Sequence, residues 1–356
     1  MSAGSPMKRS LAALRRAEEA SQLLRGLGAP RPLLVADRLA VADPSLANVL
    51  PIEPPHEAPL PAPGLPPVRA DAVLVGRADN YLRLRAFYLD ARLSIAIHHG
   101  WPPRILPSNL HRGAAVRQRL VAGGLGDGRL TAPRPLEQGR GLLGAWLLEE
   151  MLPGRTVNVE EWPALAPLVA VELIGASLAS DSTECSLEEV LPPASLRQAI
   201  DEIERQHDLG LDVQGLVHRA RKLVGSEGRV VVAPTHGDPG RRNVISMQDG
   251  GLGLVDWEAA RVRLVAHDLI KAVEDLDDPV AAVDTIASGL PPAAPRSISW
   301  SDQAAVACLA RVAGSRRWLS RSRVASLLGR SAVSARAARN RQLTIRLLDR
   351  LLASSR

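Results

Sequence analysis

Lysine is nearly missing from this chain of 356 residues: only Lys8, Lys222 and Lys271 occur, against 41 Arg. With Ala also abundant, that skew is the mark of GC-rich coding before it is a mark of function, so no Arg is read as functional on abundance alone. Cysteine is scarce too. Cys185 and Cys308 are the whole supply, which excludes a disulfide framework and any Cys-based metal spacing. Aromatic residues make up 3% of the chain, and no stacking platform or reading motif for nucleic acid is present, so nucleic acid is not expected as a partner. No apolar run approaches the roughly 18 residues of a membrane span, and no transmembrane segment is expected. At the start, Lys8-Arg9-Ser10 leads into an Ala/Leu/Arg/Glu helix rather than an apolar signal core. Together these absences predict a cytoplasmic protein.

What is present fits a two-domain globular chain, 46% hydrophobic and 23% charged. Residues 1–68 form an extension: a helix over 8–27 with Leu11, Leu14, Leu23, Leu24 and Leu27 near one face, then a linker from Pro51 to Pro67 holding eight prolines. No role is assigned to it. Over 69–150, strands are predicted at Ala72–Gly76, Tyr81–Leu89, Arg92–Ile97 and Leu142–Glu150, with a helix over Leu110–Val121. His98 and His99 are expected in a solvated turn. From 151 to 302 helices dominate: Ala164–Leu178, Ala194–His207 with Asp201, Glu202 and Glu204 outward, Gln214–Val224 and Leu264–Asp275. The tail, 303–356, carries twelve Arg, no Lys and the single acid Asp349, while the rest is mildly acidic. Its leucines, mixed with the arginines, favour amphipathic helices packed on the preceding region over a contact with a membrane surface or another anionic partner.

One stretch carries chemistry. Val230–Val232, Val244–Met247 and Leu252–Val255 have the character of short buried strands, and Asp249-Gly250 between the last two is a hairpin turn signal. The polar loop Thr235-His236-Gly237-Asp238-Pro239-Gly240-Arg241-Arg242-Asn243 lies between strands, and Asp256 follows the hairpin. Phosphoryl transfer needs such a trio: a carboxylate for the attacking hydroxyl, and an amide oxygen with a second carboxylate to hold magnesium against phosphates. Asp238 precedes Asn243 by five positions, the interval between base and metal-binding Asn in protein kinases.

His236-Gly237-Asp238 with Asn243, followed by Val255-Asp256-Trp257-Glu258, resembles the aminoglycoside phosphotransferase and choline kinase family. Leu147 to Arg155 is similar to that family's hinge between lobes, and His267-Asp268-Leu269 to its Asp-Leu motif. The resemblance implies an α+β, two-lobed, protein-kinase-like fold: a small antiparallel-sheet upper lobe over 69–150 and a larger, mostly helical lower lobe over 151–302. It implies an ATP- or GTP-dependent, Mg2+-requiring kinase for a hydroxyl of a small molecule such as an amino sugar, a sugar or an amino alcohol. Asp238 would orient the acceptor hydroxyl, Asn243 and Asp256 would hold magnesium, and the backbone of Glu149, Glu150 and Met151 would seat the purine. His236 is expected to brace the loop rather than act as a base. Arg241 either neutralises the transferring phosphoryl group or is a solvated loop residue. The mild acidity of the body leans toward a cationic acceptor.

The family's upper-lobe Lys is absent. Its position falls near Ala96 to His98, and the next helix offers Arg112, Arg117 and Arg119 but no Glu. Either an Arg supplies the phosphate contact, as guanidinium can, or the chain is a catalytically impaired kinase-like binding module.

Overall fold

The computed structural model describes residues 72–77, 82–88, 92–99, 109–141, 144–206, 209–291, 297–327 and 331–354. The extension 1–68 and the turn at 78–80 lie outside them. The chain divides into two compact units, one ending at Ala115 and resuming over Ala132–Gly154, the other made of Val116–Thr131 and Arg155 onward.

In chain order the first elements are β1 (Ala72–Arg77), β2 (Leu82–Tyr88), β3 (Leu93–His99), helix α1 (Asn109–Ala122), β4 (Leu130–Thr131), β5 (Pro135–Gly141) and β6 (Gly144–Glu150). The first unit is an antiparallel sheet in the order β1-β2-β3-β6-β5. Its inner strands are covered on both faces, so β3 buries Ser94 through His98 in succession and β6 buries Ala145 through Glu149. Ala96, Leu147 and the first turns of α1, at Leu110 and Ala114, form one apolar cluster. His98 is therefore not a solvated turn residue: it is 1% exposed inside β3. β5 escaped sequence reading because Pro135, Gly139 and Gly141 give it little strand propensity. It is an edge strand with Pro as its first residue and a bulge after it, both tolerated at edges.

The second unit continues with β7 (Gly154–Thr156), α2 (Trp162–Ala179), β8 (Thr183–Ser186), α3 (Leu187–Val190), α4 (Pro193–Glu204), α5 (Val213–Val224), β9 (Arg229–Thr235), β10 (Val244–Met247), β11 (Leu252–Leu254) and β12 (Arg261–Leu264). It ends with α6 (Ala266–Val273), α7 (Pro279–Gly289), α8 (Trp300–Leu327) and α9 (Ser331–Ser354). Two small sheets, β4-β11-β10-β7 and β12-β9-β8, sit among the helices. Against the expectation of no such run, α2 is 18 residues long with a mean hydropathy of 1.6, enough by length and composition to cross a membrane. Here it is a core helix. Val169, Ala170, Leu173 and Ile174 are buried, and it packs on α6, α7 and β9.

α4 is amphipathic as its spacing predicts, with Ala199, Ile200 and Ile203 inward, but Glu202 corrects the expectation of an outward acid. Glu202 is 2% exposed and pairs with Arg205 at 2.6 Å and with Arg341 of α9. A second pair joins the same helix to α5, Arg219 to Asp349 at 2.7 Å. A buried carboxylate is tolerated only when paired and hydrogen-bonded, and the periodicity of α4 alone does not show that a partner arrives from far down the chain.

Candidate active site

β9 feeds the loop Thr235–Asn243, which closes in a single turn of 3-10 helix at Arg241–Asn243 before β10. Asp268, 1% exposed at the start of α6, anchors the front of the loop. Its two carboxylate oxygens accept from the amides of His236 and Gly237, each at 2.7 Å. Burial pushes the Asp268 carboxyl above the usual range, while Arg263 and the two amides work against that. Gly237 has φ +88, and a Cβ there would come within 2.6 Å of the Ala259 carbonyl and collide with the Arg263 guanidinium. Only glycine fits this bend.

His236 is fully buried, with both ring nitrogens hydrogen-bonded to the backbone. Its Nε2 donates to the Val255 carbonyl at 3.0 Å, and its Nδ1 accepts from the Asp238 amide at 3.2 Å. The ring stands edge-on to Trp257 at 4.5 Å. Burial holds it below its ordinary pKa, so it is a neutral imidazole with both nitrogens occupied.

Asp238 is the accessible group, its side chain 45% exposed. Oδ1 meets Lys271 Nζ at 2.8 Å, and Oδ2 lies 3.3 Å from Asn243 Nδ2. Burial would raise its pKa, but the charge and hydrogen bond of Lys271 outweigh that and hold the carboxyl below the usual range. Asp238 is thus an ionised acceptor. The Asn243 amide nitrogen also donates to the Asp238 carbonyl at 2.8 Å.

Val255, the residue before Asp256, is tied to the loop: its amide donates to the Asn243 carbonyl at 2.9 Å while its own carbonyl accepts from His236. Asp256 itself sits in the left-handed region, φ 63 and ψ 60. Such a conformation costs a non-glycine residue about 1–2 kcal/mol and clusters at functional positions. By chemistry the side-chain amide oxygen of Asn243 and the half-buried carboxylate of Asp256 are hard donors of the kind magnesium takes. Among the described residues no group of three or more His, Cys, Asp and Glu that could hold a metal ion is present.

Arg241 donates to the Val157 carbonyl at 3.0 Å, so its guanidinium ties the loop to the start of the second unit. Of the α1 arginines, Arg117 is buried 5.9 Å over the Trp257 ring and Arg119 pairs with Asp181. In the first unit, Glu149 and Glu150 end β6. The amides of Glu150 and Met151 are taken by the carbonyls of Arg134 and Arg92, at 3.0 and 2.8 Å. Ala96 and Ile97, where the missing Lys would fall, are buried with His98. Arg85, opposite Ala96 on β2, pairs with Glu149 at 2.5 Å.

Sequence reading missed what stands behind Asp238. Lys271 also contacts Glu274, and Arg311 of α8 meets Glu274 at 2.7 Å, giving a chain of alternating charge. The available signal was the rarity of lysine together with the one-turn spacing of Asp268, Lys271 and Glu274 on one helix.

A sequence model of the APH phosphotransferase enzyme family matches residues 76–297. The chain belongs to this phosphotransferase family. The family and the observed sheets and helices together give the α+β, protein-kinase-like fold. Similar solved structures include the GDP and kanamycin complex of APH(2")-IIia, at 11% identity over 81% of this chain and 95% of that one, with a TM-score of 0.46. A choline/ethanolamine kinase family protein from Mesorhizobium loti is 14% identical over 80% and 92%, TM-score 0.47. The choline kinase LicA from Streptococcus pneumoniae is 14% identical over 76% and 89%, TM-score 0.43. Among curated proteins, none matches the sequence.

Proposed function

We propose that this phosphotransferase moves the γ-phosphate of ATP or GTP, with Mg2+, to a hydroxyl of a small molecule such as an amino sugar, a sugar or an amino alcohol. The contact of Asn243 with both the carbonyl and the carboxylate of Asp238 carries the reading, because it sets a metal-type oxygen and an ionised acceptor on one loop. The acceptor hydroxyl donates to Asp238, which takes its proton as the new bond to phosphorus forms. Asn243 and Asp256 would hold magnesium, which supplies charge neutralisation on the phosphates. His236 and Asp268 keep the loop in register for this. The purine is assigned to the backbone of Glu149–Met151, through atoms other than the two committed amides.

Asp238→Asn is expected to lower turnover at least about 100-fold while nucleotide affinity stays within about threefold. Unchanged turnover would refute the assignment. Screening hydroxylated amines, sugars and alcohols names the acceptor. A second reading, a nucleotide-binding module without turnover, is favoured by the burial of Ala96, Ile97 and His98 where a phosphate-binding Lys is expected. Magnesium-dependent nucleotide binding with neither hydrolysis nor transfer would decide for it.

A further inference from the structure

We propose that Lys271 is a catalytic residue of the transfer, its ammonium contacting the phosphoryl group in place of the lysine missing from the first unit. The proposal rests on the reading just given, with Asp238 accepting the hydroxyl proton. Its warrant is position. Lys271 lies one helical turn after Asp268 on α6, so one face of that helix serves both ends of the His236-Gly237-Asp238 run: Asp268 takes two amides, Lys271 takes the carboxylate.

A largely buried ammonium, 18% exposed, is costly unless compensated. Here Glu274 compensates it, and burial's downward pull on its pKa is outweighed by Glu274 and Asp238, so the cation persists. Glu274 does not need Lys271 in return, since Arg311 already meets its other oxygen. Nor does Asp238, nearly half exposed, need a buried partner for stability. The Lys271–Asp238 contact thus fixes a cation against the half-exposed carboxylate on the loop.

An ammonium has three donors. Asp238 and Glu274 take two, and the third has no partner among the described residues. The attacking oxygen must lie within hydrogen-bond reach of Asp238, about 2.6–3.2 Å. Lys271 sits 2.8 Å from the same carboxylate, so its free donor falls within reach of the oxygens on the phosphorus under attack. Charge in this reaction spreads over those oxygens, and a fixed cation beside them stabilises the transition state. As the acceptor oxygen bonds to phosphorus, the bond from phosphorus to the diphosphate leaving group breaks. The hydroxyl proton passes to Asp238, and Lys271 stays protonated throughout.

The test uses the full chain with Mg·ATP and Mg·GTP as probes and water as acceptor, measuring phosphate release and nucleotide affinity. Lys271→Met is expected to lower release at saturating nucleotide at least about 30-fold, with affinity within about threefold. Lys271→Cys is expected to be equally slow and to recover at least about a third of the rate after aminoethylation restores a side-chain ammonium, which a structural loss would not do. A Lys271→Met protein within about threefold of the parent overturns the proposal, while an inactive Asp238→Asn beside it keeps the phosphotransferase reading. If Lys271→Met does not fold, the aminoethylated Cys variant decides, and a folded protein that regains nothing overturns the proposal. A parent chain that neither binds nor hydrolyses nucleotide overturns both.

Discussion

Gly237 and Asp268 define the site more tightly than the residues that do its chemistry. Gly237→Ala is expected to destabilise the protein by about 2–4 kcal/mol, from a side chain forced to positive φ and from overpacking against Ala259 and Arg263. Urea unfolding measures it, and a change under about 0.5 kcal/mol would contradict the close approach. His267 makes a pH prediction. Burial first, then the charges of Arg263, Arg311, Lys271 and Arg261, hold its pKa well below the ordinary value. The unfolded chain takes up a proton on this residue below about pH 6.5, and the folded chain does not until much lower. Its contribution to stability is therefore complete above that pH and is lost as pH falls toward the depressed folded value. Thermal melts from pH 7.5 to 5 should show a declining Tm whose slope is reduced in His267→Gln, the buried His236 supplying part of the remainder.

At the scale of elements, local signals were legible and long-range ones were not. The β10–β11 hairpin was readable because its turn states itself: Gly250 takes φ +83 and the Met247 amide donates to the Gly251 carbonyl. β8 and β12 were not, since each is a short edge strand that pairs with β9 elsewhere in the chain, and β5 was hidden by the Pro and Gly of its own sequence. The amphipathic character expected of α4 holds, with Ile200 and Ile203 buried, yet Glu202 faces inward because Arg341 reaches it. Arg341→Ala leaves that buried carboxylate with Arg205 and a long contact to Gln206, and is expected to cost about 2–4 kcal/mol in urea unfolding. Double substitution with Glu202→Leu should recover much of the loss; a neutral Arg341→Ala would show that the pair contributes nothing.

Over the whole molecule, charge and core change places. The arginines of the tail look like a surface for anions, but Arg311 and Arg341 pair inward with Glu274 and Glu202. Ala304 through Leu309, Ile345, Leu348 and Leu351 are buried in the same unit. Ending the chain after Asp302 is expected to give an insoluble or inactive protein, measured by yield and phosphate release; a soluble, active product would show that the tail is dispensable. The same distinction separates what sequence settled from what folding settled. The order His236, Gly237, Asp238, Asn243 and Asp256 fixed the family and the loop, because residues a few positions apart on a strand–loop–strand can meet only in a few ways. The partner of Asp238 was decided by tertiary structure alone. Lys271 reaches it from a helix 33 positions on, through the docking of α6 beneath the loop, and no spacing in the chain encodes that docking.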